Sequence, residues 1–186
     1  FTQHEYKWRD NLKTLTGLRW DVHQTHGNIF SPRLSVKYNP ATYTTFRINS
    51  GTGFKVVNLF TEDHAAYTGT RDVVIKEELN PETSYNVTFN ANHVASALGG
   101  NTTLDLDLFY SYFTNKIIPD YETDRSKIIY ENLNGYSITK GISFMVNQSF
   151  NNPFKVSLGG TLIDAFEIES DERLPIVSRG WTKHGK

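Results

Sequence analysis

Thr14-Leu15-Thr16-Gly17-Leu18-Arg19-Trp20-Asp21-Val22-His23 decides the fold. Thr16, Leu18, Trp20 and Val22 fall on one side of this stretch, and Arg19, Asp21 and His23 on the other. A period of two is what a β-strand gives when its two faces meet different surroundings. Residues 33–38 repeat the pattern, with Leu34, Val36 and Tyr38 against Arg33, Ser35 and Lys37. Residues 103–113 repeat it again, with Leu104, Leu106, Leu108, Tyr110 and Tyr112 against Asp105, Asp107, Phe109, Ser111 and Phe113.

Working outward, the alternation predicts about eight strands, near 2–8, 13–23, 31–38, 43–51, 83–92, 102–114, 136–147 and 154–164. In the seventh, Ile138, Ile142, Phe144 and Val146 form the apolar face, and Lys140 intrudes on it. No long amphipathic helix is predicted. The connectors alternate as well. Arg9-Asp10-Asn11, Asn39-Pro40-Ala41-Thr42 and Asn151-Asn152-Pro153 are compact turns rich in Asn, Asp and Pro, and 93–101 falls in the same set. The intervening connectors are 24–30, 52–82, 115–135 and 165 onward, and three of these are long. In a meander every second connector lies at the same end, so short and long connectors segregate. That is the habit of outer-membrane barrels, with tight periplasmic turns and long outer loops.

Alternation alone does not separate lipid from a protein core, since a soluble sandwich gives the same string. Besides the connectors, two features favour a membrane wall. Tyr6, Trp8 and Tyr38 sit on the apolar face beside short turns, and Tyr110 and Tyr112 sit toward the long-loop end, where two aromatic girdles would lie. Two predicted strands run about ten residues or more. At ~3.3 Å per residue and a tilt near 45°, ten residues rise ~23 Å, close to the ~25 Å apolar band of a barrel. The expected fold class is therefore all-β, an antiparallel up-and-down transmembrane β-barrel segment. The alternatives are a self-contained eight-stranded outer-membrane barrel and a soluble β-sandwich binding module. Small residues on the polar face (Gly141, Ser143, Ser157, Gly159 and Thr161) argue against the former, because a small barrel must fill its own interior.

The 186 residues carry a formal charge of −1 and no cysteine. Near-neutral charge argues against nucleic acid as the main partner, which needs a concentrated basic face. The absence of cysteine removes disulfides and thiolate metal sites. Mean hydropathy is −0.47 and no stretch of about 18 apolar residues exists, so no transmembrane helix is predicted. The chain opens inside a strand and closes on Trp181-Thr182-Lys183-His184-Gly185-Lys186, so residues 1–186 are expected to be part of a longer polypeptide.

Chemistry-bearing clusters are few. Asp105 and Asp107 share one strand face and suit acid–base work or cation binding, but spacing fixes no third group. A lumenal ionic network with Arg33 and Arg47 is the plainer expectation. Asp21, His23 and His26 gather at the first outer loop without the spacing of a dedicated metal site. Gly51-Thr52-Gly53-Phe54 lacks the third glycine and following helix of a phosphate loop. Asn86, Asn101 and Asn147 open glycosylation sequons that matter only in a secreted eukaryotic protein. Neither catalytic residues, a metal nor a cofactor is expected. The long loops mix aromatics with both charges, which suits ligand capture. Phe54, Lys55, Arg71, Tyr121 and Arg125 are the candidate ligand-binding residues, because their loops follow outward-running strands and meet above the mouth.

Several pieces resemble one family. Gly17-Leu18-Arg19-Trp20-Asp21, then residues 27–34 (GNIFSPRL), 45–55 (TFRINSGTGFK) and 79–86 (LNPETSYN), resemble the barrel of TonB-dependent outer-membrane receptors in order and spacing. The resemblance covers roughly 13–165 and is nearest to the siderophore and cobalamin receptor branch, as in the Bacteroidota. It implies a 22-stranded barrel in the bacterial outer membrane, plugged by an N-terminal domain through which the TonB complex acts. It implies energised import of a bulky scarce nutrient, a ferric siderophore or cobalamin, without catalysis. It orients Asn39-Pro40 toward the periplasm and 51–54 toward an outer loop. The plug, the TonB box and a terminal aromatic strand are missing from these residues. Lys55-Val56-Val57-Asn58 departs from the family, which more often has Arg, a small residue and Pro there, so ligand identity does not carry over.

Overall fold

The computed structural model describes residues 1–56, 72–75, 79–120, 126–169 and 172–175. Twelve strands are present among them: β1 (Thr2–Arg9), β2 (Leu12–His23), β3 (Gly27–Ala41), β4 (Thr44–Lys55), β5 (Asp72–Ile75), β6 (Glu82–Ala97), β7 (Gly100–Thr114), β8 (Ile117–Asp120), β9 (Lys127–Asn132), β10 (Gly135–Phe150), β11 (Lys155–Glu169) and β12 (Glu172–Pro175). Nine make one antiparallel sheet in the order β1-β2-β3-β4-β6-β7-β10-β11-β12. The eight predicted strands are all in it, most of them longer than predicted. β1 and β12 lie at opposite ends of the order, so the described strands form an open wall and not a closed eight-stranded barrel.

The register turns the sequence alternation into two continuous surfaces. At mid-height Val36 faces Ile48, Ile48 faces Phe89, Phe89 faces Leu108, Leu108 faces Ile142 and Ile142 faces Leu162. One residue along, Lys37, Arg47, Asn90, Asp107, Ser143 and Thr161 form the matching row on the other side. A slip of one residue in any pairing would exchange these faces, so the register is set by burial on one side. Nothing described covers the apolar side: Trp20 is 60% exposed, Ile48 49% and Leu158 65%. Among the described residues only Leu79, Leu133 and Ala165 are buried apolar side chains, so there is no sandwich core. A wall this apolar and this bare needs lipid as its solvent.

The aromatic residues mark the two edges of the apolar band. Tyr6 and Trp8 meet edge to face at 4.7 Å beside the β1–β2 turn, and the Trp8 Nε1 donates to Thr14 Oγ1 at 3.0 Å. At the other end Tyr85, Tyr112 and Tyr136 stand side by side on β6, β7 and β10, with ring centroids 6.3 and 5.3 Å apart. The short turns are tied together: Asn39 N donates to Asn11 O, Val94 N to Tyr43 O and Asn151 N to Gly99 O.

Two expectations need correction. Residues 93–101 are not a connector. β6 and β7 pair as far as Ala97↔Gly100, leaving Leu98 and Gly99 as a two-residue turn with φ of 51° and 71°. Positive φ at both positions is the primed turn that matches strand twist, and it usually recruits Asn-Gly; here Leu stands in the first place. The long connectors also contain structure of their own. β5 pairs in parallel with β9, and β9 antiparallel with β8, as a small second sheet. Asn132 fastens it: its Oδ1 accepts from Asn80 N at 2.8 Å, and its Nδ2 donates to Asn80 O at 3.1 Å and Asn115 O at 2.8 Å.

Candidate functional site

The wall splits toward its outer end. β3 and β4 pair up to Arg33↔Gly51 and no further. The next residue of β3 is Pro32, which has no N–H to give to a ladder. Above this point β4 continues with β6 through Lys55↔Glu82, while β3 stays with β2. The opening is a cavity of about 710 Å³ lined by Phe1, Arg19, Ser31, Arg33, Thr52, Gly53 and Phe54.

Two guanidiniums and two aromatic rings dominate it. Arg19 has Cζ 5.8 Å from the Phe54 ring centre, and Arg33 has Cζ 5.2 Å from that of Phe1. The cations differ in their partners. Arg19 is held by the carboxylate of Asp21, with Nε–Oδ2 at 2.7 Å and Nη2–Oδ1 at 2.8 Å. Arg33 donates from Nη2 to the neutral amide oxygen of Gln3 at 2.6 Å. Among the described residues no carboxylate is seen to pair with it. Glycines give Arg33 its place. Gly17 and Gly51 stand opposite it on the neighbouring strands, and a Cβ at Gly17 would come 2.6 Å from Arg33 Nε. A planar guanidinium beside aromatic rings, a hydroxyl and glycine backbone suits a planar anionic group with apolar bulk.

Of the five predicted ligand residues, Phe54 lines this cavity and Lys55 does not; Lys55 lies one step on, opposite Glu82. Arg71, Tyr121 and Arg125 lie outside the described residues. Arg33 itself was legible only as a lumenal cation. Pro32 beside Arg33, with glycines at 17 and 51, was the available signal. The expected network of Arg33 and Arg47 with Asp105 and Asp107 takes another form. Arg47 donates to Asn90 at 3.2 Å, Asn90 donates to Asp107 at 2.9 Å, and Asn92 donates to Asp105 at 2.6 Å, so amides mediate the charge. At the first outer loop, the His23 Nδ1 accepts from the backbone N–H of Thr25 and His26, and Asp21 is engaged by Arg19. The His23 Nδ1 thus serves the turn and the Asp21 carboxylate the ion pair.

Residues 1–179 match the family described as TonB dependent receptor-like, beta-barrel. The chain belongs to the TonB-dependent receptor barrel family. In such receptors the barrel is an outer-membrane transport wall of Gram-negative bacteria. Among solved structures, the siderophore receptor PirA from Pseudomonas aeruginosa is similar over 88% of this chain, with a TM-score of 0.59 and 17% identity. That likeness is one of fold, and the chain spans 37% of the PirA chain. No curated protein matches the sequence.

Proposed function

We propose that this TonB-dependent receptor barrel segment belongs to an outer-membrane importer and that its outer end helps capture a bulky anionic nutrient. The observation that carries this reading is Arg33, positioned by glycines in a lumen-facing cavity beside the Phe1 ring, with no carboxylate partner among the described residues. A cation whose described partners are a neutral amide and an aromatic ring keeps its charge available to an external anion, most strongly where the wall limits solvent. A ferric siderophore with carboxylate or catecholate groups fits this chemistry better than cobalamin, which carries no net negative charge. Phe54 contributes apolar area, and Lys55, Arg71, Tyr121 and Arg125 remain the proposed further basic and aromatic ligand contacts. The rest of the receptor supplies a plug in the lumen, and the TonB complex drives import through it.

The test is uptake of an iron-55-labelled chelate by cells carrying the intact receptor as their sole importer. Arg33→Gln is expected to weaken binding by roughly 10–100-fold, the range of one charge-assisted hydrogen bond in a sheltered site. Shortening the loops 52–82 and 115–135 is expected to reduce capture further. If surface-displayed variants of all three kinds import at the parental rate, ligand capture lies elsewhere in the receptor.

A further inference from the structure

Lys140 breaks the apolar face of β10, and the structure gives it company. On the same face Asp164 stands directly opposite it on β11, with Lys140 Nζ 3.8 Å from Asp164 Oδ2. Arg173 on β12 donates from Nη2 to both carboxylate oxygens of Asp164 at 3.0 Å. Both cations lie over the ring of Phe166, Arg173 at 3.9 Å and Lys140 at 5.8 Å from its centre. Two cations thus share one carboxylate. Arg173 takes both of its oxygens, and Lys140 is held loosely with half of its side chain exposed.

The other residues of that face argue that this charge is not internal to the protein. Among the described residues, the face of β7, β10 and β11 around them is apolar or aromatic, as at Leu108, Tyr110, Tyr136, Ile138, Ile142 and Leu162, with no second carboxylate; Glu167 and Glu169 fall on the opposite parity. Among the described residues, one unit of positive charge is therefore left over on a surface that meets lipid. Its height is specific. Tyr110 is the direct partner of Lys140 on β7, and Tyr136 begins the same strand face four residues nearer the outer end. Four residues at ~3.3 Å and a tilt near 45° place the Lys140 Cα ~9 Å below Tyr136, with Tyr112 between the two levels. A lysine stem is long enough to span most of that distance, so its ammonium can rise toward the headgroup level of the outer leaflet. Cations at that depth are well placed to meet lipid phosphate.

We infer that Lys140 and Arg173, steadied by Asp164 and Phe166, form a site on the outside of the barrel for the phosphate of an outer-leaflet lipid. This inference rests on the membrane reading of the apolar face, not on the lumenal cavity. Asp164 orients Arg173 and lowers the net charge to one, which suits a headgroup that exchanges. The tyrosines and Phe166 flank the lipid's first carbons.

The experiment is native mass spectrometry of the intact receptor released from detergent, titrated with diphosphorylated lipid A, with the same lipid lacking phosphates, and with inorganic phosphate. Retarded gel mobility on heating verifies a folded barrel in every variant. The parental receptor is expected to retain the phosphorylated lipid at least tenfold better than the dephosphorylated one. Lys140→Gln with Arg173→Gln is expected to abolish that preference, and Asp164→Asn to keep or strengthen it. Should the double variant fold poorly, Lys140→Gln alone is expected to weaken the preference several-fold. Equal retention of the two lipids, an unchanged preference in folded variants, or binding of inorganic phosphate as tight as that of the lipid would each overturn the site. A receptor that stays monodisperse without detergent and takes up no lipid would instead overturn the membrane reading beneath it.

Discussion

Arg33 lies across Gly17, so close that a Cβ on that glycine would sit 2.6 Å from its Nε and 2.9 Å from its Cγ. The obstacle is a side chain and not backbone, so Gly17→Ala should leave the sheet standing and push the guanidinium away from Gln3 and the cavity. Ligand affinity of the intact receptor is expected to fall about as far as in Arg33→Gln, roughly 10–100-fold for one charge-assisted hydrogen bond. The double variant is expected to be no worse than either single one, because both remove the same contact. Additive losses in a binding titration would show that Gly17 acts through something other than Arg33.

Leu98 is 78% exposed and holds φ at 51° in the β6–β7 turn. It gains little from burial, and a branched side chain disfavours that backbone conformation. Asn is at ease there and precedes Gly99 in the preferred order for a primed turn. Leu98→Asn is expected to stabilise the folded barrel by about 0.5–1 kcal/mol, read as a higher urea midpoint in vesicles at unchanged slope. A lower midpoint would mean that Leu98 makes an apolar contact at the periplasmic rim that outweighs its strain.

This turn also shows where the sequence stopped being informative. Strand faces were legible because every second residue repeats one preference, and small errors of boundary do not disturb that. Gly99-Gly100-Asn101 marked a turn, but nothing in residues 93–98 fixed where it began, so its two-residue length emerged only from the Ala97↔Gly100 pairing. β5, β8 and β9 were missed for a different reason. Val73-Val74-Ile75, Ile117-Ile118 and Ile128-Ile129 are short apolar runs without alternation, and the parallel β5–β9 pairing joins residues far apart in sequence. Phe54 was reachable as an aromatic after a glycine-broken strand. Arg33 needed the register, because only pairing brings Gly17 and Gly51 to its two sides. Lys140 was visible as an exception, and Arg173 as its companion was not, since strand β12 follows a connector with no periodic signal.

Asn132 spends its whole amide on backbone, accepting from one N–H and donating to two carbonyls. Asn132→Asp keeps the acceptor and removes both donated bonds while changing the shape very little. At ~0.5–1.5 kcal/mol per neutral hydrogen bond, the loss is about 1–3 kcal/mol, confined to the segments around Asn80 and Asn115. Amide exchange in β8 and β9 is expected to quicken by roughly tenfold or more, with β7 and β10 unchanged. Equal protection in the variant would mean that the small sheet is held by its apolar contacts and that Asn132 merely accompanies them.

Ile142 and Ser143 are neighbours in the middle of β10 that face opposite solvents. Ile142 lies between Leu108 and Leu162 on the apolar side, while Ser143 accepts a hydrogen bond from Thr161 Oγ1 at 3.0 Å and stands directly opposite Asp107. An arginine at 142 would meet hydrocarbon near mid-membrane, at a cost of about 2–4 kcal/mol. An arginine at 143 would stay in the wet lumen with a carboxylate on the adjacent strand, and its effect is expected to stay within about 1 kcal/mol, as for a solvated ion pair. Ile142→Arg should therefore reduce the fraction of heat-modifiable, surface-exposed receptor several-fold, and Ser143→Arg should leave it near the parental level. The comparison holds the strand, the height and the introduced residue constant, and sets the two faces against each other. Equal assembly of the two variants would contradict the assignment of lipid to the apolar face, whatever the lumenal cavity binds.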